Sequence, residues 1–138
     1  MYDLTPAVMC DVEITVISHK DQRYETCGDW YFDEAGKLYI RVSRLGDWRY
    51  EQLIAIHELA EVMWCIKHGV TTKQVDEFDF AYEASRKPGD TTSEPGDDPK
   101  APYYEGHQLA IEIERQMADK LGVDWDAYGK AVEALFEE

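Results

Sequence analysis

Apolar and polar positions change period near residue 45. Between Asp11 and Ser43, Val12, Ile14 and Val16 alternate with Glu13 and Thr15, and Leu38, Ile40 and Val42 alternate with Tyr39 and Arg41. A repeat of two puts successive side chains on opposite faces, so each run predicts a strand with one face buried. Trp30-Tyr31-Phe32 followed by Asp33-Glu34-Ala35-Gly36 and Lys37 reads as a strand entering a hairpin loop. Together these runs predict a small, mostly antiparallel sheet of about three strands within about 11–43.

From Asp47 the spacing becomes helical. Asp47 is an N-cap for a helix over about 48–68, with Leu53, Ile56, Ala60 and Met63 as its apolar stripe and Gly69 as its stop. Thr71 and Gln74 have capping-box spacing and open a second helix over about 72–86, carrying Val75, Phe78 and Tyr82 before Lys87-Pro88-Gly89 breaks it. Residues 88–102 hold four of the five prolines and little that could enter a core, which makes them a loop. A third helix is predicted over about 103–121, with Ala110, Ile113, Met117 and Leu121 inward and Gly122 after it. Asp124 caps a last helix over about 124–137 that carries Trp125, Tyr128, Val132 and Leu135 on one side. The expected architecture is one α+β domain over residues 1–138, the sheet packed against about four helices.

Composition narrows the function. The chain has 138 residues, with 14 Lys+Arg against 29 Asp+Glu and a net charge of −15. Such a length forms a core without a metal or disulfide, so any metal site must be argued from its chemistry. The acidity opposes direct binding to nucleic acid or anionic lipid, although it suits a mimic of nucleic acid. No apolar run approaches a membrane span of ~20 residues, and the first residues carry neither a basic nor an apolar leader pattern, so a cytoplasmic protein is expected. Cys10, Cys27 and Cys65 are odd in number and lack CxxC spacing, which suits reduced thiols.

The chemistry concentrates in Ile54-Ala55-Ile56-His57-Glu58-Leu59-Ala60-Glu61. At 3.6 residues per turn, His57 and Glu61 stack on one helix face and Glu58 lies about 100° round the axis. This is the HExxH zinc-helix layout with a carboxylate at the second ligand position. One helix supplies two such ligands, and a third must come from elsewhere. His107, near the start of the third helix, is the best donor, giving two imidazoles and one carboxylate for Zn2+. Glu61 in place of a histidine tilts the site towards harder ions such as Mn2+ or iron. In this reading Glu58 is the base that activates water on the metal, Tyr103 or Tyr104 steadies the oxyanion with Tyr104 taken as catalytic, and His68 is a weaker candidate. Glu114, a heptad beyond His107, would hydrogen-bond a ligand. His19 and His68 otherwise suit surface or capping roles, and Trp64 fits either a pocket wall or ordinary core packing.

Asp76, Asp79 and Glu83 share a face of the second helix, by default a solvated one. Combined with Glu58 and Glu61, Asp76 and Asp79 would form a four-carboxylate magnesium cage, which would resemble the all-helical MazG-type nucleotide pyrophosphohydrolases. The strands in the first third of the chain and the unused His57 depart from that pattern.

Through His57, Glu58 and Glu61 the chain resembles a compact zincin-type metallopeptidase core. His57–Glu61, Val75–Glu83 and Pro95–His107 further resemble short phage and prophage proteins over about residues 25–133. The phage resemblance implies a phage- or prophage-encoded protein in a bacterial or phage-infected cell and gives no substrate, and the zincin resemblance implies a zinc-dependent, peptidase-like hydrolase; a peptide or host protein is the expected partner. The rival expectation is a non-enzymatic acidic protein that binds and inhibits a host factor in the manner of a DNA mimic.

Overall fold

A computed structural model describes residues 11–90 and 93–137. Cys10 therefore lies outside the described residues. Three strands, β1 (Val12–Ile17), β2 (Gly28–Phe32) and β3 (Leu38–Ser43), precede four helices, α1 (Trp48–His68), α2 (Thr72–Ala84), α3 (Tyr104–Lys120) and α4 (Trp125–Leu135). Short 3-10 turns occupy His19–Asp21 and Pro95–Asp97.

The sheet is mixed, not mostly antiparallel. Its order is β1-β3-β2, with β2 antiparallel to β3 through the expected hairpin and β1 parallel to β3. Alternation reports which face is buried and is silent on strand direction. The segment after β1 carries the chain to the far side, and the hairpin then returns β3 into the centre, alongside β1. In register, Ile14, Ile40 and Trp30 face one way, and Leu38, Ile40 and Val42 are fully buried. Burial of each such side chain is worth about 1.5–3 kcal/mol. On edge strand β1 the expected buried face fails, because Val12 and Ile14 are exposed among the described residues.

α1 forms the middle layer. The Asp47 side chain caps it by accepting from the Arg49 backbone N–H at 2.9 Å, and Glu51 accepts from Leu45 and Gly46 of the preceding loop. Gly69, at φ 69°, ends the helix. The sheet covers one side of α1 and α3 another, so its buried set is wider than a single stripe: Leu53, Ile54, Ala55, Val62 and Cys65 are buried, while Met63 is exposed. The Thr71/Gln74 capping box opens α2, which ends two residues earlier than expected, and Asp124 caps α4.

The inward face of α3 also differs from expectation. Ala110 is buried, but Ile113 and Met117 are exposed, and the face against α1 is His107, Ala110, Glu114 and Ala118. Small residues let the helices approach. At Gly106 an added Cβ would lie 2.7 Å from Trp64 Cε3, so a side chain there would wedge α3 away from α1. No helix among the described residues is long and apolar enough to cross a membrane.

Candidate metal centre

α1 presents His57 and Glu61 one turn apart, and α3 presents His107 and Glu114 on the opposing face. All four are buried. His57 Nε2 lies 3.2 Å from His107 Nδ1 and 3.3 Å from Glu61 Oε2, and His107 Nδ1 lies 3.1 Å from that same oxygen. These atoms form a nearly equilateral triangle. Tetrahedral zinc with bonds of about 2.0–2.1 Å separates its donors by about 3.3–3.4 Å, so the triangle has the size of one face of a coordination tetrahedron. Two imidazole nitrogens and a carboxylate oxygen also suit a borderline divalent ion chemically.

Two of the three donors, His57 and Glu61, are aimed by a partner from another element. Glu114 Oε1 lies 2.8 Å from His57 Nδ1 and accepts its proton, so that the Nε2 side of the ring faces the triad and would offer its lone pair there once its own proton is lost. Glu114 is itself held by the Tyr128 hydroxyl of α4, which donates to Oε2. Trp30 Nε1–H of β2 donates to Glu61 Oε1 at 3.2 Å, leaving Oε2 to face the imidazoles. Glu114 thus hydrogen-bonds His57, while Trp30 and Tyr128 join the cluster without a signal of their own in the sequence. Both read locally as core aromatics, and only the fold brings their polar ends to the carboxylates.

The electrostatics follow from this crowding. Burial opposes charge on Glu61, yet hydrogen bonds from His107 and His57 and their charges hold its carboxyl at about 2. Burial would likewise depress both imidazoles. Glu114 and Glu61 nevertheless hold His57 well above its ordinary value, and Asp97, Glu61 and Glu94 raise His107 to about 12. Glu58 moves the other way: burial, then repulsion by Glu61, pushes its carboxyl well above the usual range. Its Oε2 lies 3.9 Å from His57 Nε2, and it accepts a hydrogen bond from none of the described residues.

The triad and Glu58 line a cavity of about 380 Å³. Of the two tyrosines, Tyr103 lines it and Tyr104 does not; Tyr104 packs against the hydrophobic core. Consecutive helical residues diverge by about 100°, and Tyr103, four before His107, shares the face of that imidazole. The Tyr103 hydroxyl is already committed as a donor to Asp79 Oδ1, and Tyr24 donates to Asp79 Oδ2 at 2.7 Å. Asp76 pairs with Arg23 at 3.2 Å and is absent from the cavity wall. Both members of the second carboxylate pair are therefore occupied by protein donors, and neither joins Glu58 and Glu61 in an ion-binding group among the described residues.

His19 bonds Ser43 Oγ and Glu25, and His68 stacks on Trp64 with ring centroids 4.1 Å apart. Trp64 packs over Gly106 and is not part of the cavity wall. Cys27 and Cys65 are free thiols and belong to no potential ion-binding group among the described residues.

The loop over 88–102 contributes more than a connection. Its Pro95–Asp97 turn brings Glu94 Oε2 and Asp97 Oδ1 to 3.3 and 3.2 Å from His107 Nε2. The i, i+3 spacing of these acids was visible in the sequence, but acidic loop residues are usually solvated and nothing local tied them to a histidine of α3. No family model, curated protein or solved structure matches this chain.

Proposed function

We propose that the protein is a zinc-dependent hydrolase that holds Zn2+ at His57 Nε2, Glu61 Oε2 and His107 Nδ1 and cleaves an amide bond in a positively charged peptide. The observation that carries this reading is the donor triangle of 3.1–3.3 Å, with a separate orienting partner behind both His57 and Glu61. A zinc ion bound there supplies Lewis acidity that polarises a carbonyl and lowers the pKa of water. Glu58, beside His57 on the cavity wall, takes the proton from the attacking water and returns it to the leaving amine.

The preference for a cationic substrate comes from the lining. Glu25, Asp29, Glu83 and Glu133 join Glu58, Glu61 and Glu114 on the cavity wall, and the guanidinium groups there are only Arg86 and Arg115. Arg86 is paired with Glu83 and Asp90, and Arg115 lies over the Trp125 ring. The resulting negative potential favours a basic peptide and repels polyphosphates. A metal-binding helix on a small sheet, with a further ligand-bearing helix across it, is also the arrangement expected of a zincin-type core.

The test is zinc binding by the chelator-stripped protein together with digestion of a peptide library rich in Lys and Arg. Zinc-dependent cleavage by the wild type and loss of cleavage with retained zinc in Glu58→Gln are expected. Cleavage by Glu58→Gln at the wild-type rate removes Glu58 as the base, and failure of the wild type to bind zinc removes the whole reading.

A further inference from the structure

We propose a second cation site on the outer side of His107, formed by its Nε2 with Glu94 and Asp97, so that one imidazole joins two divalent ions. His107 is buried at 5% exposure, and its Nε2 makes no hydrogen bond among the described residues. Two carboxylate oxygens nevertheless stand 3.2 and 3.3 Å from it. This combination separates two kinds of bonding. A ring N–H needs its acceptor on the axis of the nitrogen, which neither oxygen provides. Donor atoms around one ion instead lie side by side, about 3.0–3.4 Å apart for bonds of about 2.0–2.2 Å. The nitrogen and both oxygens also lie mutually within the 4.8 Å span of an ion-binding group.

The loop is built to deliver these acids. Gly96 sits directly against the imidazole, and an added Cβ would lie 2.5 Å from His107 Cγ and Nδ1, so only glycine allows the turn to close on the ring. The turn itself is held by Asp97 N–H donating to Glu94 O and Asp98 N–H donating to Pro95 O, each at 3.1 Å. Upstream, Arg86 donates to the Ser93 carbonyl at 2.8 Å, anchoring the chain one residue before Glu94.

One nitrogen and two oxygens form a harder donor set than the inner triad, suited to a divalent first-row ion that keeps water on its exposed side. Both ring nitrogens of His107 would then coordinate, and each proton that they carried would leave to solvent as the ions bind. The inference rests on the proposed function only through His107, and the outer site does not require catalysis.

The experiment is calorimetric Zn2+ titration of the full, EDTA-stripped chain, comparing wild type, the double variant Glu94→Gln/Asp97→Asn, and Glu61→Gln. Thermal melts of the stripped proteins confirm folding, which half-buried Glu94 and exposed Asp97 do not determine. Two ions bound by the wild type and one by each variant are expected, the double variant keeping the inner ion and Glu61→Gln the outer. A single wild-type ion that survives the double substitution overturns the outer site and leaves the inner one standing. A second ion retained by the double variant is adventitious binding to this acidic chain and overturns the assignment as well. Loss confined to the double variant refutes the inner centre instead, and no binding at all refutes both.

Discussion

Glu114 gives the sharpest test of the inner centre, because it stands outside the donor triangle and reaches it through His57. Its carboxylate accepts from His57 Nδ1 at 2.8 Å and from the Tyr128 hydroxyl. Glu114→Gln keeps the shape, removes the charge and leaves one acceptor oxygen for two donors. Loss of such an orienting carboxylate lowers metal affinity by roughly 10–100-fold. At zinc set to a hundred times the wild-type Kd, the ion stabilises the native state by about 2.7 kcal/mol, and a ~30-fold weaker variant retains about 0.9 kcal/mol. With about 3–4 °C per kcal/mol for a chain of this size, the zinc-induced rise in Tm falls from roughly 9 °C to roughly 3 °C. The assay is thermal unfolding with and without zinc, calibrated by competition with a chromophoric chelator. Tyr128→Phe, which leaves the carboxylate in place, lowers affinity less than Glu114→Gln. Glu114→Ala, which strands both donors, also destabilises the stripped protein by about 1–3 kcal/mol per unsatisfied group. Wild-type affinity in Glu114→Gln, or a larger loss in Tyr128→Phe, refutes the orienting role.

Glu58→Gln is expected to cut turnover by about 10²–10⁴-fold without weakening zinc binding, read by initial rates and by the same chelator competition. Burial, reinforced by the Glu61 and Asp29 charges, raises the Asp79 carboxyl from 3.8 to about 7, despite the opposing tyrosine hydrogen bonds. The folded chain therefore holds this proton more tightly than the unfolded one. Its stabilising contribution is complete below pH 4 and is lost as pH rises through about 7. Asp79→Asn removes that slope, so its stability relative to wild type should rise by up to about 4 kcal/mol between pH 4 and pH 8, measured by urea unfolding. Parallel pH profiles for the two proteins refute the assignment. Gly106→Ala forces Cβ to 2.7 Å from Trp64 and should cost about 1–3 kcal/mol while weakening zinc binding; an unchanged Tm would mean that α3 is free to shift outward.

Much of this arrangement is legible along the chain, in proportion to how local its causes are. The bounds of α1 follow from Asp47 and Gly69, whose capping chemistry acts within one turn. The pairing of His57 with Glu61 follows from helix pitch alone. His107 was reachable because a third donor was needed and few histidines exist. Strand direction is not legible, since β1 pairs directly with β3 although β2 lies between them in the sequence, and no residue pattern encodes that route. Tyr104 was preferred over Tyr103 without a rule to separate neighbours, whereas the four-residue offset to His107 separates them once the cavity is located. Glu94 and Asp97 needed the turn around Gly96, whose tight fit against the ring is purely tertiary.

The orientation of α3 carries the strongest physical argument for a bound cation. Apolar patterning favoured Ile113 and Met117 as inward residues, yet both are exposed and the helix buries His107 and Glu114 instead. Hydrophobic burial alone would have chosen the other face. Against α1 this brings Glu58, Glu61 and Glu114 together with two imidazoles at 8% exposure or less. Desolvating such a cluster costs several kcal/mol per charge, and apolar replacements of similar volume are often as stable or more so. A chain of this length needs no ionic cluster to form a core. The imidazoles are held protonated and Glu58 is pushed towards its neutral acid, so a divalent cation at the focus would take the place of the ring protons that balance the remaining carboxylates and would satisfy the same inward-facing donor atoms. The orientation of α3 is thus costly as packing and favourable as coordination.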